Sequence, residues 1–182
     1  VLQTNDILEF RSYAEELKWL TTDPKRMSWV AQTIKDIATS GNTLILVDRI
    51  SAGEILEKKI KDSVFIRGAT KNIERKEHYD EVSTAETKII IATYGVASIG
   101  INIPRIFNLV LIEPGKSFVR VIQSIGRGIR KAEDKDHVQI WDITSSCKFA
   151  KRHLTQRKKF YKEANYPFKI EKINYENPYI RK

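Results

Sequence analysis

Three polar side chains in the segment QSIGRGIR, residues 123–130, have the types and spacing to act on phosphate. Gln123, Arg127 and Arg130 are four and three residues apart, so a helical backbone brings them to one face. A guanidinium is planar, always charged and rich in paired N–H donors, which suits the oxygens of a triphosphate better than an ammonium does. An arginine delivered across an interface stabilises the charge that develops in phosphoryl transfer, worth about 10³ to 10⁵ in rate, or roughly 4 to 7 kcal/mol. Gly126 and Gly128 lie in the same stretch. Each costs a helix up to about 1 kcal/mol against Ala, so something else must use the space they leave. No acid stands between Glu113 and Glu133 to neutralise the arginines locally. The same spacing also suits an exposed basic helix pairing with Glu133 and Asp134, and both readings stay open on spacing alone.

Two further segments carry chemistry suited to phosphate. ATYGVASIGINIP, residues 92–104, holds the Thr93 hydroxyl, Gly95, Gly100 and Asn102. Hydroxyls, small residues and free backbone N–H groups let a chain approach phosphate closely, although ordinary turn chemistry uses the same residues. From Lys148 to Lys162 there are seven Lys or Arg and no acid, with Phe149, Phe160 and Tyr161 among them. Lys151, Arg152, Arg157 and Lys158 are the candidates there for a phosphate backbone. The competing reading is a solvated helix face whose long stems cover apolar neighbours. Charge is uneven along the chain: residues 1–147 carry 21 Lys and Arg against 20 Asp and Glu, and residues 148–182 carry 11 against 3. A third segment is a decoy. Gly115, Lys116 and Ser117 follow an apolar run like the end of a phosphate-binding loop, but the full pattern needs glycine where Val110 stands.

These residues must be held by an alternating set of elements. TLILV (43–47), VFI (64–66), KIIIAT (88–93), LVLI (109–112) and HVQIWDI (137–143) are short, β-branched and nearly continuous in apolarity, as strands buried on both faces are. Helical patterns fall at residues 6–19, from a cap at Thr22 or Asp23 with Pro24 to a stop at Gly41, and at 51–60, 71–82, 94–98 and 118–130. Strands alternating with helices argue for an α/β fold with a mostly parallel sheet and helices on both faces. In such sheets ligands meet the loops at the carboxyl ends of the strands.

Composition bounds the rest. The 182 residues, 41% apolar and 30% charged, suit one domain burying roughly 70% of the surface its unfolded chain exposes. No apolar run approaches the roughly 20 residues of a membrane span, so no membrane partner is expected. Cys147 is the one cysteine, and the three histidines, His78, His137 and His153, are scattered. Neither an internal disulfide nor a zinc site is expected, and no residue is assigned to a metal. A reduced, cytoplasmic setting follows. The opening VLQTNDILEF has neither an initiator Met nor a secretory pattern, which suggests part of a longer protein.

The ordered blocks FIRGAT with ER (65–75), KIIIATYGVASIGINIP (88–104) and QSIGRGIR (123–130) resemble the C-terminal RecA-like lobe of superfamily-two helicases, over about residues 25–145. Gln123, Gly126, Arg127 and Arg130 match the family's QxxGRxxR signature, and TLILVDRISAGEIL (43–56) is similar to its motif IV. The resemblance implies a RecA-like three-layer fold and a lobe of 1–147 followed by a basic helical extension, 148–182. It implies that Arg127, Arg130 and Gln123 act on ATP, with Gly100 and Asn102 toward the nucleotide. Asn102 stands where the family more often has Asp. Arg49, Gly68, Thr93 and Tyr94 are implied as nucleic-acid contacts, joined by Lys151, Arg152, Arg157 and Lys158 of the tail. Within the family, the short lobe without inserts and the basic, tyrosine-containing tail are similar to a phage recombination helicase, which implies branched DNA as substrate: forks, junctions and R-loops.

No strand of this chain ends in the Asp-Glu pair such motors use to hold Mg²⁺. ATP and Mg²⁺ are therefore expected mainly on an N-terminal RecA-like lobe of the same protein, with this chain inactive alone. The alternative is a RecA-like nucleic-acid-binding or adaptor module without motor activity, which has no need for paired arginines at this spacing.

Overall fold

The computed structural model describes residues 1–67, 87–99, 106–115, 118–128 and 138–175, with backbone alone at 99 and 124–128. Strands β1 (Leu2–Thr4), β2 (Thr43–Val47), β3 (Val64–Ile66), β4 (Ile89–Thr93), β5 (Asn108–Ile112), β6 (Gln139–Ser145) and β7 (Glu171–Ile173) form one sheet. Its order is β3-β4-β2-β5-β6-β1-β7, and every neighbouring pair is parallel. The helices are α1 (Tyr13–Thr22), α2 (Pro24–Ala38), α3 (Ile50–Lys59), α4 (Tyr94–Ile99), α5 (Phe118–Gly128) and α6 (Lys148–Glu163).

The apolar runs of the central strands make sense once both faces are covered. Leu44 and Leu46, Ile90 and Ala92, and Leu109 and Leu111 share one core with Tyr94, Phe118, Val121 and Tyr161 of α4, α5 and α6. The alternate residues Ile45 and Val47, Ile91, and Val110 and Ile112 share another with Met27, Val30 and Ile34 of α2 and Ala52 and Leu56 of α3. Period-two alternation thus divides each strand between two apolar layers, the three-layer α/β arrangement expected from the sequence.

Helix α2 begins as its cap residues dictate. The Asp23 carboxylate accepts from the Arg26 N–H at 3.0 Å, and Pro24 occupies the first turn. Helix α1 is shorter than the pattern at 6–19 suggests. Ser12 caps it, accepting from the Glu15 N–H at 3.2 Å. Residues 5–6 are instead tied to other strands: the Asn5 N–H donates to the Ile173 carbonyl, the Asp6 N–H to the Ser146 hydroxyl, and the Ser145 hydroxyl to the Asp6 carboxylate.

The boundary expected at residue 147 does not divide the structure. Strand β1 lies between β6 and β7, and α6 sends Tyr161 into the core shared by α4 and α5. Residues 148–175 belong to the same sheet and layers as the lobe. Neither β1 nor β7 was expected; LQT and EKI are three residues each, and β7 is a largely exposed edge strand. The helix expected at 71–82 lies outside the described residues.

Candidate functional site

All seven strands end on one edge of the sheet. The chain runs from β2 outward to β3 and β4, then continues with β5 and β6 on the other side of β2, so the reversal point lies between β2 and β5. Ligands favour that crevice in open α/β sheets. Asp48 and Arg49 follow β2, Thr93 closes β4, and Glu113, Pro114 and Gly115 follow β5.

Thr93 caps the short helix that follows it: its hydroxyl oxygen accepts from the Val96 N–H at 3.2 Å. The hydroxyl proton is left to donate, and the side chain is half-buried. Arg49 is the residue before α3 and is also half-buried. Its guanidinium donates to the Ala14 carbonyl at 3.4 Å, leaving most of its fork unused. Helix α3 approaches β3 closely because residue 53 is Gly; a Cβ there would sit 2.3 Å from the Phe65 ring.

Helix α4 packs directly on α5, with Val96 and Ala97 sharing a core with Phe118, Val121 and Ile122. On α5, Gln123 is exposed, and residue 127 lies four residues further along the same helix. The Arg127 side chain, Arg130, Gly68, Gly100 and Asn102 lie outside the described residues, as do Lys116 and Ser117.

Two sequence-based assignments are corrected. Tyr94 was expected to touch nucleic acid, but it is buried in the core of α4 and α5, where its hydroxyl donates to the Ile112 carbonyl at 3.0 Å. Arg157 is a candidate phosphate contact by sequence, but it is 2% exposed. Its Nε and Nη2 donate to the two Asp142 oxygens at 2.7 and 3.0 Å, and its Nη1 donates to the Pro114 carbonyl at 2.8 Å. Tyr161 donates its hydroxyl to the same Asp142 at 2.7 Å. Burial works against the Arg157 charge, but the Asp142 carboxylate more than offsets this and raises its pKa. The buried stripe of α6 explains both facts: Ala150, Leu154, Arg157 and Tyr161 recur at helical spacing, so Arg157 faces the sheet.

The neighbouring cations behave differently. Lys151 and Arg152 are exposed and Lys158 is half-buried. Lys148, Lys151 and Arg152 line an open groove of about 540 Å³ with Ile7, Leu8 and Glu9. Lys148 and Arg152 lie 5.5 and 5.7 Å from the Phe149 ring. The carboxylate of the buried Glu16 on α1 caps this helix, accepting from the N–H groups of Phe149 and Ala150 at 2.9 and 2.7 Å.

A second buried cluster was not anticipated. Arg26, fully buried, donates to Glu113 at 2.6 Å, to the Leu20 carbonyl at 2.7 Å and to the Thr144 carbonyl at 3.2 Å. Glu113 also accepts from the Thr144 hydroxyl at 3.2 Å, and its backbone is left-handed, with φ at 45°. Burial pushes the Glu113 carboxyl up to about 7 against the pull of Arg26. Tyr13 stands over the next turn residue but one: a Cβ on Gly115 would lie 3.0 Å from its hydroxyl oxygen. Burial and the Asp48 carboxylate push that phenol up to about 12. A signal for Arg26 was present, since it lies four residues before Val30 and eight before Ile34 on an apolar helix face.

Among the described residues, no three His, Cys, Asp or Glu side chains gather as a metal site, and no helix is long and apolar enough to cross a membrane.

Comparison with known proteins places this arrangement. ATP-dependent DNA helicase UvsW of Enterobacteria phage T4 is 29% identical over 158 residues, 84% of this chain and 32% of that protein. The putative ATP-dependent helicase IRC3 of Saccharomyces cerevisiae is 34% identical over 92 residues, 48% of this chain and 13% of that protein. The chain thus spans about a third or less of the length of these relatives. The crystal structure of T4 UvsW superposes with a TM-score of 0.83 at 20% identity, over 96% of this chain and 40% of that one. The C-terminal domain of the DEAD-box protein Dbp5 superposes with a TM-score of 0.62 at 17% identity, over 97% of this chain and 91% of that one. These likenesses show a RecA-like fold of the kind found in helicase C-terminal lobes. The model of the helicase conserved C-terminal domain matches residues 25–132, more than half of the chain, and the protein described here belongs to that family.

Proposed function

We propose that this chain is the C-terminal motor lobe of an ATP-dependent DNA helicase that unwinds or branch-migrates forks, junctions and R-loops. One observation carries the reading. Helix α4, which starts beside Thr93, packs directly on α5, which holds Gln123 and residue 127 one turn apart. A segment suited to a nucleic-acid backbone and a segment suited to a nucleotide therefore belong to one packed unit, as a motor that links hydrolysis to movement requires.

In this mechanism ATP and Mg²⁺ are held mainly by an upstream RecA-like lobe. This chain closes over them, Arg127 and Arg130 meeting the γ-phosphate, where they stabilise charge that grows in the transition state. Gln123 registers closure, and Gly100 and Asn102 lie toward the nucleotide. Thr93 donates its free hydroxyl proton to a backbone phosphate, and Arg49 and Gly68 contact the same backbone. Lys151, Arg152 and Lys158 extend the grip, and Arg157 takes no part in it. Each cycle of closing and reopening shifts one lobe along the strand. DNA is favoured over RNA by the similarity to a protein named as a DNA helicase.

The test is strand separation by the complete protein on a forked duplex with ATP, run with DNA and with RNA strands. ATP-dependent unwinding of the DNA fork is expected. A complete protein that binds DNA without hydrolysing ATP contradicts the motor reading and points to an adaptor.

A further inference from the structure

Three helices meet the turn from β5 toward α5, one at each successive residue. Arg26 of α2 pairs with Glu113 at 2.6 Å, Arg157 of α6 donates to the Pro114 carbonyl at 2.8 Å, and Tyr13 of α1 overhangs Gly115. The Phe118 N–H then donates to the Gly115 carbonyl at 3.2 Å as α5 begins. Helix α6 also grips α5 itself. The ring of Phe118, the first residue of α5, meets Phe160 and Tyr161 edge-on at 5.3 and 5.5 Å.

From these contacts we infer that Arg157 is a positioning residue for the arginine-bearing helix α5, and that α6 links nucleic-acid occupancy of its exposed first turns to the placement of that helix. The inference rests on the proposed motor reading. Helix α6 has two parts with different duties. Lys148, Lys151 and Arg152 in its first turns are exposed and line the groove beside Ile7 and Leu8. Arg157 and Tyr161, one and two turns further on, are buried. The rise between Arg152 and Arg157 is only about 7.5 Å, and a continuous helix of 16 residues joins them. A load on the exposed cations therefore reaches the Pro114 carbonyl through one rigid element.

A purely stabilising ion pair accounts for part of the site only. Nε and Nη2 already satisfy both oxygens of Asp142. The remaining donor, Nη1, reaches the backbone of the turn that leads to α5. Lysine at this position keeps a positive charge near Asp142 but cannot hold a carboxylate and a carbonyl at once in a planar fork.

The test uses the complete protein with Arg157→Lys and, separately, Phe118→Leu, which retains an apolar core residue and touches no charge. Each variant is checked for folding by circular dichroism, and steady-state ATP hydrolysis is measured with and without single-stranded DNA. The expected result is a fall of about tenfold in DNA-stimulated kcat, with KM for ATP and Kd for DNA within about twofold of the unaltered protein. A general structural defect would move KM and Kd as well. Unchanged kcat in either folded variant overturns the inference, as does a drop in kcat matched by equal drops in ATP and DNA affinity. If Arg127→Ala is inactive while Arg157→Lys is fully active, the inference fails and the motor reading stands. If the unaltered protein shows no DNA-stimulated hydrolysis, both fail.

Discussion

Arg26 Nη2 lies 2.6 Å from Glu113 Oε1 at the carboxyl end of β5. Both side chains are shut away from water. Their meeting joins α2, on one face of the sheet, to the turn that leads to α5 on the other.

That pair gives a pH signature. Burial pushes the Glu113 carboxyl up to about 7, with Arg26 pulling the other way, while the unfolded carboxyl titrates near 4.5. Between these values the folded protein keeps a proton that the unfolded chain has released. The stability it contributes is complete below about 4.5 and is lost as pH rises through about 7, at most of the order of 3 kcal/mol. Urea titrations across this window should show falling stability, and Glu113→Gln, which cannot ionise, should flatten the curve. An unchanged slope in the variant would contradict the assignment.

Asp142 and Arg157 are each 2% exposed. Asp142→Ala leaves a buried guanidinium without its carboxylate and should lower unfolding free energy by about 3 to 5 kcal/mol, read from the urea midpoint. A decrease below about 1 kcal/mol would mean that the pair is wetter than the structure shows.

Gly53→Ala should also destabilise the fold, by about 1 to 3 kcal/mol. The added methyl meets the Phe65 ring at 2.3 Å, so α3 must back away from β3 and carry Arg49 with it. Calorimetry should register a clear fall in Tm; an unaltered Tm would show that the ring moves aside freely.

Much of this architecture was legible in the sequence because its central strands are covered on both sides. TLILV and NLVLI are apolar after a polar first residue, and helical patterns such as that of α3 follow these runs. Strands β1 and β7 are illegible in the sequence because LQT and EKI are mostly polar, unlike the equally short VFI of β3, and pairing rather than composition makes them strands. Thr93 and Gln123 sit where motif spacing suggests, at the strand end and on the packed helix. Tyr94 and Arg157 depart from expectation because a polar atom does not make a surface residue. The family resemblance suggests a nucleic-acid contact at Tyr94 and residue type suggests one at Arg157, whereas both side chains turn into the core, where a carbonyl and a carboxylate satisfy them. Arg26 follows the same rule: it is a cation whose helical phase with Val30 and Ile34 outweighs its residue type and puts it on the buried face of α2.

The exposed cations of α6 predict a salt effect. In the complete protein, Lys151→Ala together with Arg152→Ala should weaken DNA binding and reduce the slope of log affinity against log salt by about 0.7 to 0.9 for each phosphate no longer neutralised. An unchanged slope would remove α6 from the nucleic-acid path.

If α5 supplies arginine to a nucleotide held elsewhere in the protein, single-turnover hydrolysis by the complete protein carrying Arg127→Ala is the decisive measurement. Turnover should fall by about 10³ or more, with ATP affinity retained within several fold. Normal turnover in that variant would contradict that role of α5.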